Sequence, residues 1–393
     1  MGGLRNSAWS IHCSSRSGCG CRVAIKIASA RLFRVRLPLL REVANAKHTL
    51  THRDGVLVQL TSDTGAHGWG EASPFPGFGL EAVDDAYRAL EDALKQVTGS
   101  HCSGAAEFEN PVDDLNPTAR GALECAVLDL LARTANVTMR DLMASTDAPN
   151  AVRVECNALM TARDLDALSD EAEAAVAGGF KTVKLKVGGL SLDEDASRVA
   201  HLRKCVGGEV SIRLDANTVY DLESALAALD RFAIHDIEYL EQPLPIDELD
   251  AMARLRAKSP IRIAADEAAT SEQSVRRVID AGAADVIIVK PSATGGPLAA
   301  LQIARAARRA GLGVTVTSML DGAIATASAL QVASVLAGEG GLPACGLATQ
   351  GLFERNVAAL PSVVDGGVVL SSDPGLGIDV DPAAVNDVSM GLT

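Results

Sequence analysis

Short apolar runs recur through the second half of the chain, each followed by an amphipathic stretch. The runs occupy residues 152–157, 182–187, 210–215, 237–241, 261–266, 285–290, 312–318 and 344–348. Between them the spacing of apolar positions predicts helices over 164–177, 193–205, 221–232, 247–258, 271–281, 297–310 and 322–337, several opening on Asp or Ser in the position of an N-cap. Strands that are apolar throughout, alternating with helices, imply a parallel sheet covered by helices. Eight such units in roughly 200 residues predict a (β/α) barrel over 151–355. The rival is an open doubly wound sheet, but no Gly-x-Gly-x-x-Gly follows the first strand.

Residues 23–145 read differently. Alternating patterns at 23–37, 55–61 and 68–71, with the turn Ser62-Asp63-Thr64-Gly65, predict an antiparallel meander. Helical periodicity follows at 80–96 and 118–136, the second opened by Asn116-Pro117. This is a small α+β domain. Residues 356–393 form a C-terminal segment, read as returning to that domain.

Composition narrows the chemistry. The chain has 393 residues, 48% apolar and 22% charged, with a net charge of −14. That balance fits a globular protein and argues against a nucleic-acid or anionic-membrane surface. No run reaches the length of a membrane span. The first 41 residues hold eight Lys or Arg and no acid, and 1–22 are rich in Ser, Gly and Cys. This basic extension is read as a tail or an organellar transit segment; otherwise the scattered single cysteines suggest a reducing cytoplasm. Sequence alone admits a homo-oligomer.

The strand ends carry the candidate chemistry. Successive strands terminate in Lys184-Leu185-Lys186, Asp215, Glu241, Asp266 and Lys290, at intervals of 29, 26, 25 and 24 residues from Lys186 onward. One βα unit separates each from the next, which places all of them on the C-terminal rim where barrel enzymes keep their active sites. Three neighbouring carboxylates repel one another unless a cation lies between them. A set of oxygen ligands without His or Cys selects Mg²⁺, with Mn²⁺ as the alternative. Lys184 and Lys186 share one face of their strand, and Lys290 faces them across the barrel. A metal between ammonium groups suits removal of a proton next to a carboxylate. The expected partner is therefore a small carboxylate.

The Lys-x-Lys at 184–186, with Asp215, Glu241, Asp266 and Lys290, resembles the catalytic set of the enolase superfamily, muconate-lactonizing subgroup. That superfamily pairs a Lys or His base with Mg²⁺. The resemblance spans about 25–380 and implies a (β/α)7β barrel with an N-terminal α+β capping domain. It also implies Asp215, Glu241 and Asp266 as metal ligands, and Lys186, Lys184 and Lys290 as catalytic residues. All seven histidines lie at or before His235, which speaks against a His base late in the barrel. Residues 68–79, Lys290-Pro291 with Gly295-Gly296, and 346–350 are similar to o-succinylbenzoate synthases. The Asp-x-Asp of dipeptide epimerases is missing from the last strand. The implied reaction is dehydration of 2-succinyl-6-hydroxy-2,4-cyclohexadiene-1-carboxylate; N-succinylamino acid racemase, dipeptide epimerase and cycloisomerase are the alternatives, and a non-catalytic binding barrel is the remote one. Phe75 and Phe78 are expected to cover the mouth. Gly295, Gly296, Ser318 and Arg213 are expected at the substrate, with a structural ion pair as the other reading of Arg213.

Overall fold

The computed structural model describes residues 25–44, 49–102, 115–144 and 150–391. The basic extension, with Cys13, Cys19 and Cys21, lies outside them. The chain opens on β1 (Ile25–Ala44), β2 (Thr49–Ser62) and β3 (His67–Ala72), an antiparallel meander whose fourth strand β4 (His101–Cys102) pairs with the start of β1. The helix α1 (Val83–Val97) lays Ala86, Leu90, Ala93, Leu94 and Val97 on this sheet, a single stripe at helical spacing. The next helix, α2 (Pro117–Thr134), is buried almost all round because it lies between the sheet and the barrel. Glycines allow its approach: a Cβ at Gly68 or Gly70 would strike the carbonyl of Ala126 or Ala122.

After the short α3 (Met139–Met143), the first apolar run does not itself form the barrel's first strand. Its first half, β5 (Arg153–Glu155), leaves the barrel and pairs antiparallel with β14 (Gly367–Val369), which pairs with β13 (Val363–Val364). The barrel's own first strand is β6 (Ala158–Met160), so the run expected as one strand at 152–157 is corrected. The C-terminal segment shares this stretch with the barrel: Cys156 N donates to Gly366 O at 2.8 Å, while Glu155 O accepts from Cys345 N at 2.7 Å and Asn157 N donates to Cys345 O at 2.9 Å.

The parallel sheet continues through β7 (Thr182–Lys186), β8 (Ser211–Asp215), β9 (Ile237–Glu241), β10 (Arg262–Ala265), β11 (Val286–Val289) and β12 (Gly313–Val316), in sequential order. The intervening helices are α4 (Leu165–Ala177), α5 (Leu192–Val206), α6 (Leu222–Phe232), α7 (Leu249–Lys258), α8 (Glu272–Ala281), α9 (Pro297–Arg309) and α10 (Ala323–Gly338). The eighth position, expected as a strand at 344–348, is held by isolated bridges, Cys156↔Cys345 on one side and Thr317↔Gly346 on the other. They close the ring. Inside it, Tyr239, Ala264, Val286 and Ile288 form a separate small core below the rim.

The C-terminal segment ends in α11 (Pro382–Val388) and runs along β1, with Met390 N donating to Arg34 O at 2.8 Å. Among the described residues, no helix is long and apolar enough to cross a membrane.

Candidate active site

Strand alternation points Lys184, Lys186, Asp215 and Glu241 into the barrel; Lys186, Asp215 and Glu241 share one level through the pairs Lys186↔Asp215 and Asp215↔Glu241, and Lys184 lies one layer below, opposite Arg213. Asp266 and Lys290 follow immediately after β10 and β11. Lys184 Nζ lies 2.5 Å from Glu241 Oε1 and 2.8 Å from Asp215 Oδ2. Lys186 Nζ lies 2.6 Å from Asp215 Oδ2 and donates to Asn217 Oδ1 at 2.8 Å. Lys290 pairs with Asp266, and its ammonium lies 4.4 Å from the centre of the Phe78 ring.

Three ammonium groups therefore face three carboxylates in a nearly dry setting, and the proton affinities divide accordingly. Burial raises the Asp215 carboxyl, but Lys184 and Lys186 outweigh it and hold Asp215 well below the usual range. Burial and the charge of Asp215 push Glu241 up to about 8 against the pull of Lys184. Asp266 is raised by burial, which Lys290 opposes. Burial lowers the Lys184 amine, but Asp215 and Glu241 outweigh it and hold it well above an ordinary lysine.

The all-oxygen chemistry of Asp215, Glu241 and Asp266 fits a hard divalent ion. Glu241 keeps its second oxygen buried without a hydrogen-bond partner, which is a free donor for one. As placed, however, each acid is drawn to a lysine. Among the described residues, no three His, Cys, Asp or Glu side chains are gathered around a common point as a metal cluster. An ion would be met first by the oxygens the lysines leave free, of which Glu241 Oε2 is one.

A cavity of about 430 Å³ opens over this rim. Lys184, Lys186, Asp215, Asp266, Lys290 and Ser318 line it from the barrel, and Phe75 and Phe78 from the loop after β3. Ser318 Oγ lies 3.3 Å from Thr349 Oγ1, which extends the polar wall onto the last strand position.

Three of the expected substrate contacts are corrected. Arg213 is 1% exposed and does not line the cavity. It faces the barrel interior, where it pairs with Glu238 at 2.8 Å and donates to Ala344 O at 2.6 Å. A register shift in β9 turns Glu238 toward it. Gly295 and Gly296 also lie away from the cavity, against Arg120, Gly121 and Glu124 of α2. The α9 N-terminus they introduce already has an anion, because Leu298 N donates to Glu124 Oε1 at 2.8 Å. Burial pushes that carboxyl up to about 7, while Leu298 N and Arg120 draw it down.

Among the cavity residues not anticipated, Asn217 and Glu267 stand beside the rim charges. Asn217 takes a left-handed backbone (φ 45°) that Asn tolerates, and its side chain bridges Lys186 to Glu267 at 2.8 and 3.1 Å. Each stands within two residues of a rim acid, so the one-unit spacing that singled out Asp215 and Asp266 extends to them.

Comparisons with known proteins find matches over both parts of the chain. Residues 167–384, more than half of the chain, match the family described as enolase C-terminal domain-like. Residues 27–128 match the MenC N-terminal domain. The N-succinyl-L-Arg/Lys racemase of Bacillus cereus is 26% identical over 79% of this chain and 84% of its own. The crystal structure of muconate lactonizing enzyme from Pseudomonas fluorescens with muconolactone superposes with a TM-score of 0.86 at 26% identity, covering 93% of this chain and 99% of that one. A dipeptide epimerase from Enterococcus faecalis, solved with Mg and the dipeptide L-Leu-L-Tyr, has a TM-score of 0.83 at 23% identity, covering 91% and 99%.

Proposed function

This chain belongs to the enolase superfamily, and from that premise we propose that it dehydrates 2-succinyl-6-hydroxy-2,4-cyclohexadiene-1-carboxylate to o-succinylbenzoate. The observation that carries the reading is the match of residues 27–128 to the MenC N-terminal domain, which brings the loop with Phe75 and Phe78 over lysines on opposite walls. Asp215, Glu241 and Asp266 would hold Mg²⁺, which supplies Lewis-acid stabilisation of the charge that develops on the substrate carboxylate.

The chain's own residues do the rest. Lys186, at the outermost position of β7, takes the proton α to the ring carboxylate. Lys184, tied to Asp215 and Glu241, stays charged beside it. Lys290 faces the same carboxylate from the far wall as a cation. The proton on Lys186 then passes to the departing hydroxyl, so one C–H and one C–O bond break, a ring double bond forms and water leaves. Phe75 and Phe78 exclude solvent from the step. Aromatisation drives it, so the site needs no fine match to the succinyl arm.

The racemase relative supports a second reading, racemisation of N-succinylamino acids by the same lysines from opposite faces. A direct comparison separates the two. Loss of diene absorbance should exceed the change in optical rotation of N-succinylamino acids; racemisation without dehydration overturns the first reading. Lys186→Ala should lower kcat by a factor on the order of 10²–10⁴ or more. Near-native exchange of the substrate α-proton in that variant would remove Lys186 from its role.

A further inference from the structure

The loop between β3 and α1 belongs to the capping domain, yet its tip reaches a charged group of the barrel. Its base is fixed: Arg53, 2% exposed, donates to Ser73 O at 2.5 Å and Pro74 O at 3.3 Å. The Arg53 guanidinium also lies 5.0 Å from the Phe75 ring centre. Its tip is shaped by Gly77 and Gly79, which flank Phe78 at φ 80° and 75°, a conformation L side chains rarely adopt. Phe78 N donates back to Phe75 O at 3.2 Å. Backbone and anchor together aim one ring at one ammonium, that of Lys290, 8% exposed.

An aromatic face stabilises a cation without accepting a proton or binding a metal. Asp266 pairs with Lys290 as well, through Oδ1, and it would share its charge with any ion it ligates. The ring has no such second claim on it. We propose that Phe78 is a positioning residue: its π face holds the Lys290 ammonium over the cavity, so that seating of the capping loop is what sets Lys290 against the substrate carboxylate. This rests on the reading of the site given above and adds to it a residue of the other domain that acts through Lys290. It also assigns the two loop aromatics separate tasks, Phe75 to the anchor and Phe78 to the cation.

Ring fluorination tests this, because it weakens the π face and leaves the shape of the side chain almost unchanged. Phenylalanine analogues with one, two and three ring fluorines at position 78 should lower kcat stepwise, with KM moving less than twofold. Phe78→Tyr should retain activity, and Phe78→Leu should lose at least tenfold in kcat. A second arm needs no substrate. The Lys290 ammonium resonance in ¹⁵N-lysine-labelled protein, identified by its loss in Lys290→Met, should be shifted upfield by the ring and move downfield in Phe78→Leu. Flat kinetics across the fluorinated series, or an ammonium resonance that ignores Phe78→Leu, overturns the proposal. If the wild-type enzyme dehydrates no succinyl-cyclohexadiene substrate, the functional reading fails while the resonance still decides the contact.

Discussion

Arg213 stands two residues below Asp215 on the same face of β8, and the two charges serve different ends. Asp215 opens on the cavity; Arg213 ties β8 to Glu238 and to the carbonyl of Ala344, on the chain that closes the barrel. Removing one partner of a buried pair leaves the other without compensation, which costs about 3–5 kcal/mol, and the lower end applies because Glu238 is 24% exposed. Arg213→Met should therefore lower unfolding stability by about 3 kcal/mol in urea titration and leave KM within twofold. A tenfold rise in KM with unchanged stability would return Arg213 to the substrate. The sequence placed this arginine on the correct face but not at the correct depth. Period-two alternation states which side of a strand a residue occupies, and only the closed ring shows that one layer is floor and the next is rim.

At the scale of elements, α2 and α9 meet through small residues and one acid. Gly121 packs against the backbone of Gly296, and a Cβ at Gly296 would run into the Glu124 carboxyl at 2.5 Å. Gly295-Gly296 were expected at the substrate, and the N-terminus of α9 that they introduce does take a carboxylate. The carboxylate is Glu124, some 170 residues earlier in the chain, a pairing that no local pattern reveals. Its pKa of about 7 lies above that of an exposed glutamate. The native state thus binds more protons than the unfolded chain between the two values, and Glu124 contributes stability that is fully present in acid and lost as pH rises through 7. Glu124→Gln keeps an oxygen for Leu298 N and removes the titration. Relative to wild type, this variant should gain up to about 3 kcal/mol between pH 4.5 and pH 8. Parallel stability curves for the two proteins over that range would exclude Glu124 as the titrating group.

At the scale of the whole molecule, the alternation of apolar runs and helices was legible as a barrel because each βα unit repeats the same burial problem. Residues 153–155 and 344–348 escaped it, since their pairing is decided by distant segments: β14 draws the first out of the barrel, and the second closes the ring through two bridges alone. The six rim residues were legible from spacing, but the lysine–carboxylate pairing was not, because spacing carries no information on which charge neutralises which. That pairing leads to a prediction for the entire fold. An ion held by the rim acids would bind only the native state, and such a ligand stabilises that state by mass action, about 2.7 kcal/mol at a hundredfold excess over Kd. Magnesium should therefore raise the melting temperature, and EDTA should reverse the rise and abolish turnover. Glu241→Gln should remove most of the shift while the protein stays folded, because Glu241 alone of the three proposed ligands has an unpartnered buried oxygen and is pushed up to about 8. Two results would contradict this: a melting temperature indifferent to Mg²⁺ and EDTA, or full activity in metal-free protein. Either would mean that the three ammonium groups alone neutralise the rim, and that the carboxylates serve the lysines rather than an ion.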